Sequence, residues 1–490
     1  MANPLIRSTG ACPVQEEPAR SSSVTRTGRF APVGFPFVKL AGGGHGDREP
    51  RAGCSQDFPY SCTILSIMSP ADHSSDRDSP ARSGPGRPMS SQSCSSRRSV
   101  LAALGVGTAG ALAGCSAVGV GQDSPSFTDG DWHSYGNGPA NTNYVSSAVP
   151  EVGGHDRLAP ASYPYAPPVV HGGVVYFGNQ RWVNAFSPAG DERWERLLDA
   201  EVSGALAIDP GRGRLYVPVR PRRSASGTGG ARVMVLSLAD GGVIDTLRIG
   251  EDKTYGVTIV DGDLYVRTAN ACIRLAPDGT ERWRRPLDPL VYDEYRVVDI
   301  GASQVAPAVT EGGVYVPDRD ALVKLDPESG EERWRVPVDT AYAAPVVDDG
   351  GVVQTGAIET AAVNHSGAVR WRRDLQTRAA AATAPNGDVY VCGESDLHEL
   401  DPETGETNWQ AYTSGVVTAA PLVTDRSVLV AESGGRAFRR ETGGLLTPDR
   451  ERWENRSVGV VQSMSPVIAA GRALVVTHRG LVAFRPTSDD

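Results

Sequence analysis

One unit of sequence recurs eight times between residues 166 and 486, and it limits the possible folds more than any other feature of the chain. Each unit begins with a strand of small apolar residues and a tight turn with Gly, followed by a Val-Tyr-Val-like strand. A third apolar strand and, in most units, a closing Gly-x-x-x-Trp complete it. The Val-Tyr-Val position falls at Tyr176, Tyr216, Tyr265, Tyr315, Val353, Tyr390, Leu429 and Leu474, in steps of 37 to 50 residues. Four-stranded repeats of this length predict the blades of a β-propeller.

The pattern therefore predicts an all-β fold, an eight-bladed β-propeller of four-stranded antiparallel blades. The many Gly and Pro residues suit short strands with tight turns better than long helices. The last repeat ends near Pro486, before its closing strand. We expect an N-terminal strand to supply the missing outer strand and close the ring, and we place it at residues 131–136.

A tryptophan closes six of the units. These residues are Trp194, Trp283, Trp334, Trp371, Trp409 and Trp453. A Trp at a fixed repeat position could stack on a ligand. It could equally bury about 150–250 Å² between neighbouring sheets. One indole per repeat favours the second interpretation, so we predict that the six residues dock each blade against the next.

The region before the repeats has the character of an export signal. Residues 1–96 are rich in Ser, Pro, Arg and Gly, which predicts disorder, and translation could begin at Met89. Arg97 and Arg98 precede a short apolar run, and Leu-Ala-Gly ends at Cys115. Paired arginines before such a run are similar to a twin-arginine signal peptide, here residues 97–114. We predict lipidation of Cys115, a tether over residues 115–130 and the propeller over residues 131–490.

Charge argues against nucleic acid as a partner. The chain carries a formal net charge of −10. Residues 1–114 hold 8 acidic and 12 basic residues, so the remainder holds 58 − 8 = 50 acidic and 48 − 12 = 36 basic residues, a net of −14. Binding to phosphates requires a basic face. We expect a monomeric propeller whose contact with the membrane is made through the lipid anchor.

Two segments and the opening of the repeat region resemble the PQQ-like repeat family of quinoprotein dehydrogenase-type propellers. Residues 326–334 and 401–409 are similar to its docking motif, and residues 132–144 to its opening segment. The likeness covers residues 131–486. The resemblance implies the propeller fold. Some members are dehydrogenases that hold pyrroloquinoline quinone (PQQ) and Ca²⁺ over the axis, and others are non-enzymatic, including an outer-membrane assembly lipoprotein that binds partner segments on its propeller face.

Features associated with the enzymes of this family are missing from the sequence. There is no Cys-Cys pair, no Cys-x-x-Cys-His haem motif and no recognisable set of carboxylates and amides for Ca²⁺. The histidines from residue 131 onward are scattered without zinc-ligand spacing, at His133, His155, His171, His365, His398 and His478. We therefore predict no catalytic, cofactor-binding or metal-binding residues. Cys272 and Cys392 fall in different repeats and are expected to be buried, unreactive thiols.

One insertion between the third and fourth repeats combines aromatic and charged residues, as recognition loops often do. It contains Tyr292, Asp293, Glu294 and Tyr295, a possible binding loop. The sequence thus favours a non-catalytic cell-surface lipoprotein scaffold at the outer face of the cytoplasmic membrane, which binds a protein or small ligand through its propeller face. The alternative is a dehydrogenase of alcohols or sugars that depends on PQQ and Ca²⁺.

Overall fold

The computed structural model describes residues 130–149, 151–160, 166–221, 230–250, 253–289, 305–340, 343–413, 415–432, 434–440, 450–459 and 464–487. These residues form β-strands and one short 3-10 helix, Pro210–Arg212. Across the ranges described, no helix has the length and apolarity that crossing a membrane requires.

The strands follow the repeat in chain order. Two strands come first: β1 (Tyr144–Val145) and β2 (Val152–Ala159). Blade one contains β3 (Val169–His171), β4 (Val174–Asn179), β5 (Trp182–Phe186) and β6 (Glu192–Leu197). Blade two contains β7 (Glu201–Val202), β8 (Ala207–Asp209), β9 (Arg214–Arg220), β10 (Arg232–Ser237) and β11 (Val243–Arg248). Blade three contains β12 (Thr254–Val260), β13 (Asp263–Thr268), β14 (Ala271–Leu275) and β15 (Glu281–Pro286). Blade four contains β16 (Ala308–Thr310), β17 (Gly313–Asp318), β18 (Ala321–Leu325) and β19 (Glu332–Pro337).

The second half of the ring repeats this arrangement. Blade five contains β20 (Val346–Asp348), β21 (Gly351–Thr355), β22 (Thr360–Val363) and β23 (Val369–Arg373). Blade six contains β24 (Ala382–Thr383), β25 (Val389–Cys392), β26 (Asp396–Leu400) and β27 (Thr407–Tyr412). Blade seven contains β28 (Leu422–Thr424), β29 (Ser427–Ala431), β30 (Gly435–Arg439) and β31 (Glu451–Asn455). Blade eight contains β32 (Val467–Ala469), β33 (Arg472–Thr477) and β34 (Gly480–Pro486).

Each blade is an up-and-down antiparallel sheet, and the eight sheets make an eight-bladed β-propeller, as the repeat predicts. Because strand direction alternates, the turns of a blade alternate between two ends. We call one end face A. It holds the turns that join the first strand to the second and the third strand to the fourth, such as residues 172–173 and 187–191 in blade one. Face B is the end with the second-to-third turns and the connections between blades, such as residues 180–181 and 198–200.

An N-terminal strand closes the ring, but the predicted segment was wrong. The fourth strand of blade eight is β2, Val152–Ala159, which pairs antiparallel with β34. Residues 131–136 instead lie on the inner side of the blades, where Trp132 forms one antiparallel bridge with Val170 of β3. The repeat shows that a closing strand is missing. It does not distinguish between the two segments that precede the first blade.

The closing tryptophans lie on the outer strands and contact the following blade. The indole N–H of Trp194 donates to the carbonyl of Leu238 at 2.9 Å, and that of Trp371 to Pro402 at 2.9 Å. Trp283 and Trp334 make equivalent bonds to Pro327 and His365. The last two pack on phenylalanines, with ring centroids 5.4 Å apart for Trp409 and Phe438 and 5.6 Å for Trp453 and Phe484.

Glycines in the third-to-fourth turns make room for these indoles. A Cβ on Gly405 would lie 2.5 Å from Trp371, and one on Gly241 would lie 2.5 Å from Trp194. Where a blade has no tryptophan, leucine takes the position over the next glycine. Leu247 of blade two lies over Gly279, and Leu158 of β2 lies over Gly190 of blade one. A large apolar side chain therefore joins each blade to the next, including the junction that closes the ring.

Candidate functional site

The chain before the first blade runs around the propeller axis. In six blades, the backbone N–H of an inner-strand residue donates to a carbonyl of this segment at 2.7–2.9 Å. The donors are Val170, Ile208, Val309, Val347, Thr383 and Val423, and the acceptors are Trp132, His133, Pro139, Ala140, Thr142 and Asn143. At its end, β1 adds to β28 of blade seven as a parallel strand. We call residues 131–145 the axial segment.

Left-handed backbone conformations allow the axial segment to coil so tightly. Gly136 has φ +66°, and a Cβ at this position would lie 2.4 Å from the Cα of Asn141. Asn137, Asn141 and Asn143 have φ between +52° and +59°. Asparagine is enriched in this region of backbone space, which other residues with side chains rarely adopt. The Gly and Asn residues between positions 136 and 143 are thus explained by the path of the chain.

Side chains of the axial segment fill the middle of the ring. Tyr135 is buried in one apolar cluster with Ala205, Ala306, Ala344, Ala381 and Ala420, which precede the inner strands of five blades. Burial raises the pKa of its phenol, and the hydroxyl faces Ser465 of blade eight and Asn143.

The asparagines of the segment fix its position in the ring. The Asn141 amide donates to the carbonyls of Ala306 at 3.1 Å and Pro345 at 3.2 Å. The Asn143 amide donates to the carbonyl of Ala381 at 3.0 Å. Both residues are completely buried, so these bonds link the segment to blades four, five and six away from water.

Three side chains capable of binding a metal converge on the axial segment at face A. Asp131 Oδ2 lies 3.3 Å from His133 Nε2 and 3.2 Å from His171 Nδ1, and the two histidine nitrogens are 3.0 Å apart. The other carboxylate oxygen of Asp131 accepts the backbone N–H of Gly172 at 2.8 Å. Burial lowers the pKa of His133, which favours its neutral imidazole. We call these three residues the His-Asp cluster.

Apolar side chains are exposed on face B. Tyr412 at the end of β27 is 75% exposed, Ile358 in blade five is 67% exposed and Val416, between blades six and seven, is 47% exposed. Leu197, at the face B end of β6, is 48% exposed. Scattered apolar residues are ordinary on a protein surface, but three of these four belong to blades five to seven. Ile358, Tyr412 and Val416 are therefore candidates for an apolar contact surface on face B.

Comparison with known proteins identifies the type of repeat in this chain. The family profile PQQ_2, described as outer membrane protein assembly factor BamB, matches residues 271–372 and 355–488. BamB of Nitrosomonas eutropha is 26% identical over 219 residues, 40% of this chain and 52% of that protein. BamB of Moranella endobia is 24% identical over 189 residues, 37% of this chain and 41% of that protein. The chain therefore spans about half the length of these curated relatives, or less.

The chain belongs to the PQQ-like β-propeller repeat family. Solved PQQ-like propellers share its fold. The structure of BamB from Moraxella catarrhalis superposes with a TM-score of 0.52 at 14% identity, covering 70% of this chain and 99% of that one. Quinohemoprotein alcohol dehydrogenase from Comamonas testosteroni superposes with a TM-score of 0.54, also at 14% identity, covering 72% and 80%. One fold thus carries an assembly factor and an enzyme, and it does not decide between these two kinds of function.

Within the described ranges, the axis of this PQQ-like propeller offers few side-chain oxygen atoms to a quinone held with Ca²⁺. Ca²⁺ requires six to eight oxygen ligands, mostly carboxylates and carbonyls. Within the described ranges, the centre of the ring is occupied by Tyr135, Asn141 and Asn143, and the surrounding side chains are largely alanines. Alanine methyl groups offer a cation no oxygen ligand.

The sequence pattern did not reveal the His-Asp cluster of this chain. The Asp-x-His spacing of residues 131 and 133 places both side chains on one side of an extended chain. Their approach to His171 depends on the bridge between Trp132 and Val170, which no local pattern reveals. Cys272 and Cys392 are free, buried and in blades three and six, as expected, and burial raises the pKa of both thiols.

Several predicted site residues lie outside the described residues. They are Arg97, Arg98, Cys115, Tyr292, Asp293, Glu294 and Tyr295. Their roles in export, lipidation and binding stay predictions.

Proposed function

We propose that this PQQ-like propeller is a non-catalytic, extracytoplasmic scaffold that binds another protein through face B. The observation that carries the proposal is the filled axis. Tyr135, Asn141 and Asn143 join the inner ends of several blades into one buried unit. Such a centre makes a rigid ring and leaves the exposed loops of the faces for recognition.

Blades five to seven supply the contact surface in this proposal. Tyr412, Ile358 and Val416 provide exposed apolar and aromatic area, and tyrosine is enriched in protein interfaces. The relatives with significant sequence similarity are named as outer membrane protein assembly factors, which supports a protein partner outside the cytoplasm. The insertion with Tyr292 and Tyr295 would extend the same recognition function.

Site-specific photo-crosslinking in cells tests this assignment of the surface. A photoreactive amino acid replaces Tyr412 in the full chain, and a matched variant carries it in place of Val243. Val243 is 49% exposed at the face A end of β11. Illumination should give a discrete protein adduct from position 412 and none from position 243. Adducts from position 243 alone, or an absence of adducts from positions 412, 358 and 416, would contradict the proposal.

We also propose that Cys115 carries the lipid that holds the propeller at the outer face of the cytoplasmic membrane. Support comes from Arg97 and Arg98, the apolar run and Leu-Ala-Gly-Cys, which occur in the order required for export and processing. Cys115→Ala should move the protein from the membrane to the soluble fraction, and Arg97→Lys with Arg98→Lys should block its export. Unchanged membrane association of Cys115→Ala, with no acyl mass on the wild-type protein, would exclude the anchor.

The dehydrogenase alternative has weaker support. It rests on structural neighbours such as the quinohemoprotein alcohol dehydrogenase, whose similarity at 14% identity concerns the fold. It would require PQQ and Ca²⁺ to find space and oxygen ligands near an axis that Tyr135 occupies.

A further inference from the structure

We propose that Asp131, His133 and His171 form a binding site for a divalent transition metal ion, with Zn²⁺ the best-suited ion. The three candidate ligand atoms are Asp131 Oδ2, His133 Nε2 and His171 Nδ1, and they lie 3.0–3.3 Å from one another. The proposed function does not depend on this site.

The separations agree with tetrahedral coordination. Zn²⁺ binds imidazole nitrogen and carboxylate oxygen at about 2.0–2.2 Å, and the edge of such a tetrahedron is about 3.3–3.6 Å. The three measured separations lie at or slightly below this length. The triangle of ligand atoms therefore needs only a few tenths of an ångström of expansion to accept the ion.

The backbone fixes the three ligands in this arrangement. Trp132 and Val170 exchange two backbone hydrogen bonds at 2.8 Å. This antiparallel bridge places residue 131 opposite residue 171. Residue 133 lies two positions further along an extended chain, on the same side as residue 131. Trp132 itself is 1% exposed, so the segment between the two ligands of the axial segment is anchored in the core.

Groups around the ligands favour a bound cation. The Gly172 N–H holds Asp131 Oδ1, which orients Oδ2 toward the histidines, as hydrogen bonds to metal-binding carboxylates commonly do. The carboxylate of Asp209 adds negative charge near His133. Asp131 and His133 are shielded, with side chains 6% and 13% exposed, whereas that of His171 is 33% exposed.

The donor set indicates the class of metal. Two imidazoles and one carboxylate suit Zn²⁺ and neighbouring transition metals, whereas Ca²⁺ and Mg²⁺ prefer oxygen ligands throughout. Three protein ligands leave a fourth position, which the exposed side of His171 opens to water at face A. A bound ion would connect the axial segment to the inner strand of blade one in addition to the backbone bridge.

Metal titration of the purified full-length protein tests the site. After chelation and dialysis, Co²⁺ should bind with one equivalent and give the intense visible bands of tetrahedral coordination, and Zn²⁺ should displace it. His171→Ala should lower Co²⁺ affinity by at least about 100-fold, because even outer-shell changes cost 10–100-fold. Its partly exposed side chain makes this variant safer for folding than one at His133.

A matched histidine variant completes the test. His155 lies on β2, with its ring near the Ser457 hydroxyl, and it is not one of the three grouped ligand residues. His155→Ala should keep both the Co²⁺ bands and the rise in melting temperature caused by Zn²⁺, and His171→Ala should lose both. Equal Co²⁺ affinity in the two variants, or octahedral Co²⁺ spectra in the wild type, would overturn the proposal.

Discussion

At the scale of single residues, the ring depends on contacts between one large side chain and one glycine. Trp371 is 6% exposed, donates to the carbonyl of Pro402 and covers Gly405 of the next blade. Gly405 has φ +70°, which residues other than glycine rarely adopt. The Gly-x-x-x-Trp pattern of one blade therefore takes part in two successive contacts. Its glycine contacts the indole of the preceding blade, and its tryptophan covers the glycine of the next blade.

Trp371→Ala should lower the free energy of unfolding by about 3–5 kcal/mol, because it removes a buried indole and leaves a cavity. Chemical denaturation followed by intrinsic fluorescence measures the change. Tyr412→Ala, at a side chain that is 75% exposed, should stay within about 0.5 kcal/mol of the wild type. Similar values for the two variants would show that Trp371 does not dock the blades.

Gly405→Ala should also destabilise the protein, and its effect should couple to Trp371. The new Cβ would lie 2.5 Å from the indole. The double variant Gly405→Ala with Trp371→Ala has no indole for the new Cβ to clash with. Its loss of unfolding free energy should therefore be smaller than the sum of the two single losses, with a coupling of about 1–3 kcal/mol in the double-mutant cycle. Additive effects would mean that the two residues do not contact each other.

At the scale of the element, the third-to-fourth turns of blades four and six share one construction. Asp326 Oδ1 accepts the N–H groups of Glu328 at 3.0 Å and Ser329 at 2.8 Å. Asp401 Oδ1 makes the same two bonds to Glu403 and Thr404. The Arg333 guanidinium and the Ser329 N–H hold the pKa of Asp326 below its usual range, and the Thr404 N–H does the same for Asp401.

These turns should make stability depend on acid pH. Since both pKa values are lower in the folded state, the native protein binds fewer protons, and the stabilisation present above about pH 4 is lost as the pH falls below it. Asp326→Asn with Asp401→Asn keeps an acceptor oxygen but does not titrate. The melting temperature of this variant should fall less steeply than that of the wild type between about pH 4 and 2. Parallel curves would contradict the role of the two carboxylates.

At the same scale, the sequence predicted elements well where the signal is local. The Val-Tyr-Val positions fall on the second strands, and the six tryptophans fall on outer strands such as β6 and β23. The sequence did not identify β2 as the closing strand, because residues 131–136 and 152–159 both precede the first blade and only the pairing with β34 distinguishes them. His171 could not be assigned to a cluster for the same reason, since its approach to Asp131 depends on pairing across forty residues.

At the scale of the whole molecule, the junction that closes the ring is made by the same kind of contact as the other junctions between blades. β2 completes blade eight, and Leu158 of that strand lies over Gly190 of blade one, where other blades place an indole. The chain of apolar contacts therefore continues through all eight junctions. The axial segment adds a second connection, since it hydrogen-bonds to the inner strands of six blades.

Leu158→Ala should weaken the junction that closes the ring. Leu158 is 9% exposed, and truncating a buried leucine costs about 2–5 kcal/mol, so a value near 2 is expected at this rim position. Limited proteolysis should then release the N-terminal region before it cuts the blades. Leu197→Ala, at a side chain that is 48% exposed, is the matched control and should leave the cleavage pattern unchanged.

The filled axis is the central claim, because it separates a binding scaffold from a quinone enzyme. Titration of the purified protein with PQQ in the presence of Ca²⁺, read by quinone absorbance and by dye reduction with alcohols and sugars, tests it most directly. We expect no stoichiometric quinone binding and no Ca²⁺-dependent dye reduction, since Tyr135 and its alanine neighbours occupy the centre of the ring. Binding of one quinone per chain with substrate-dependent dye reduction would contradict this account.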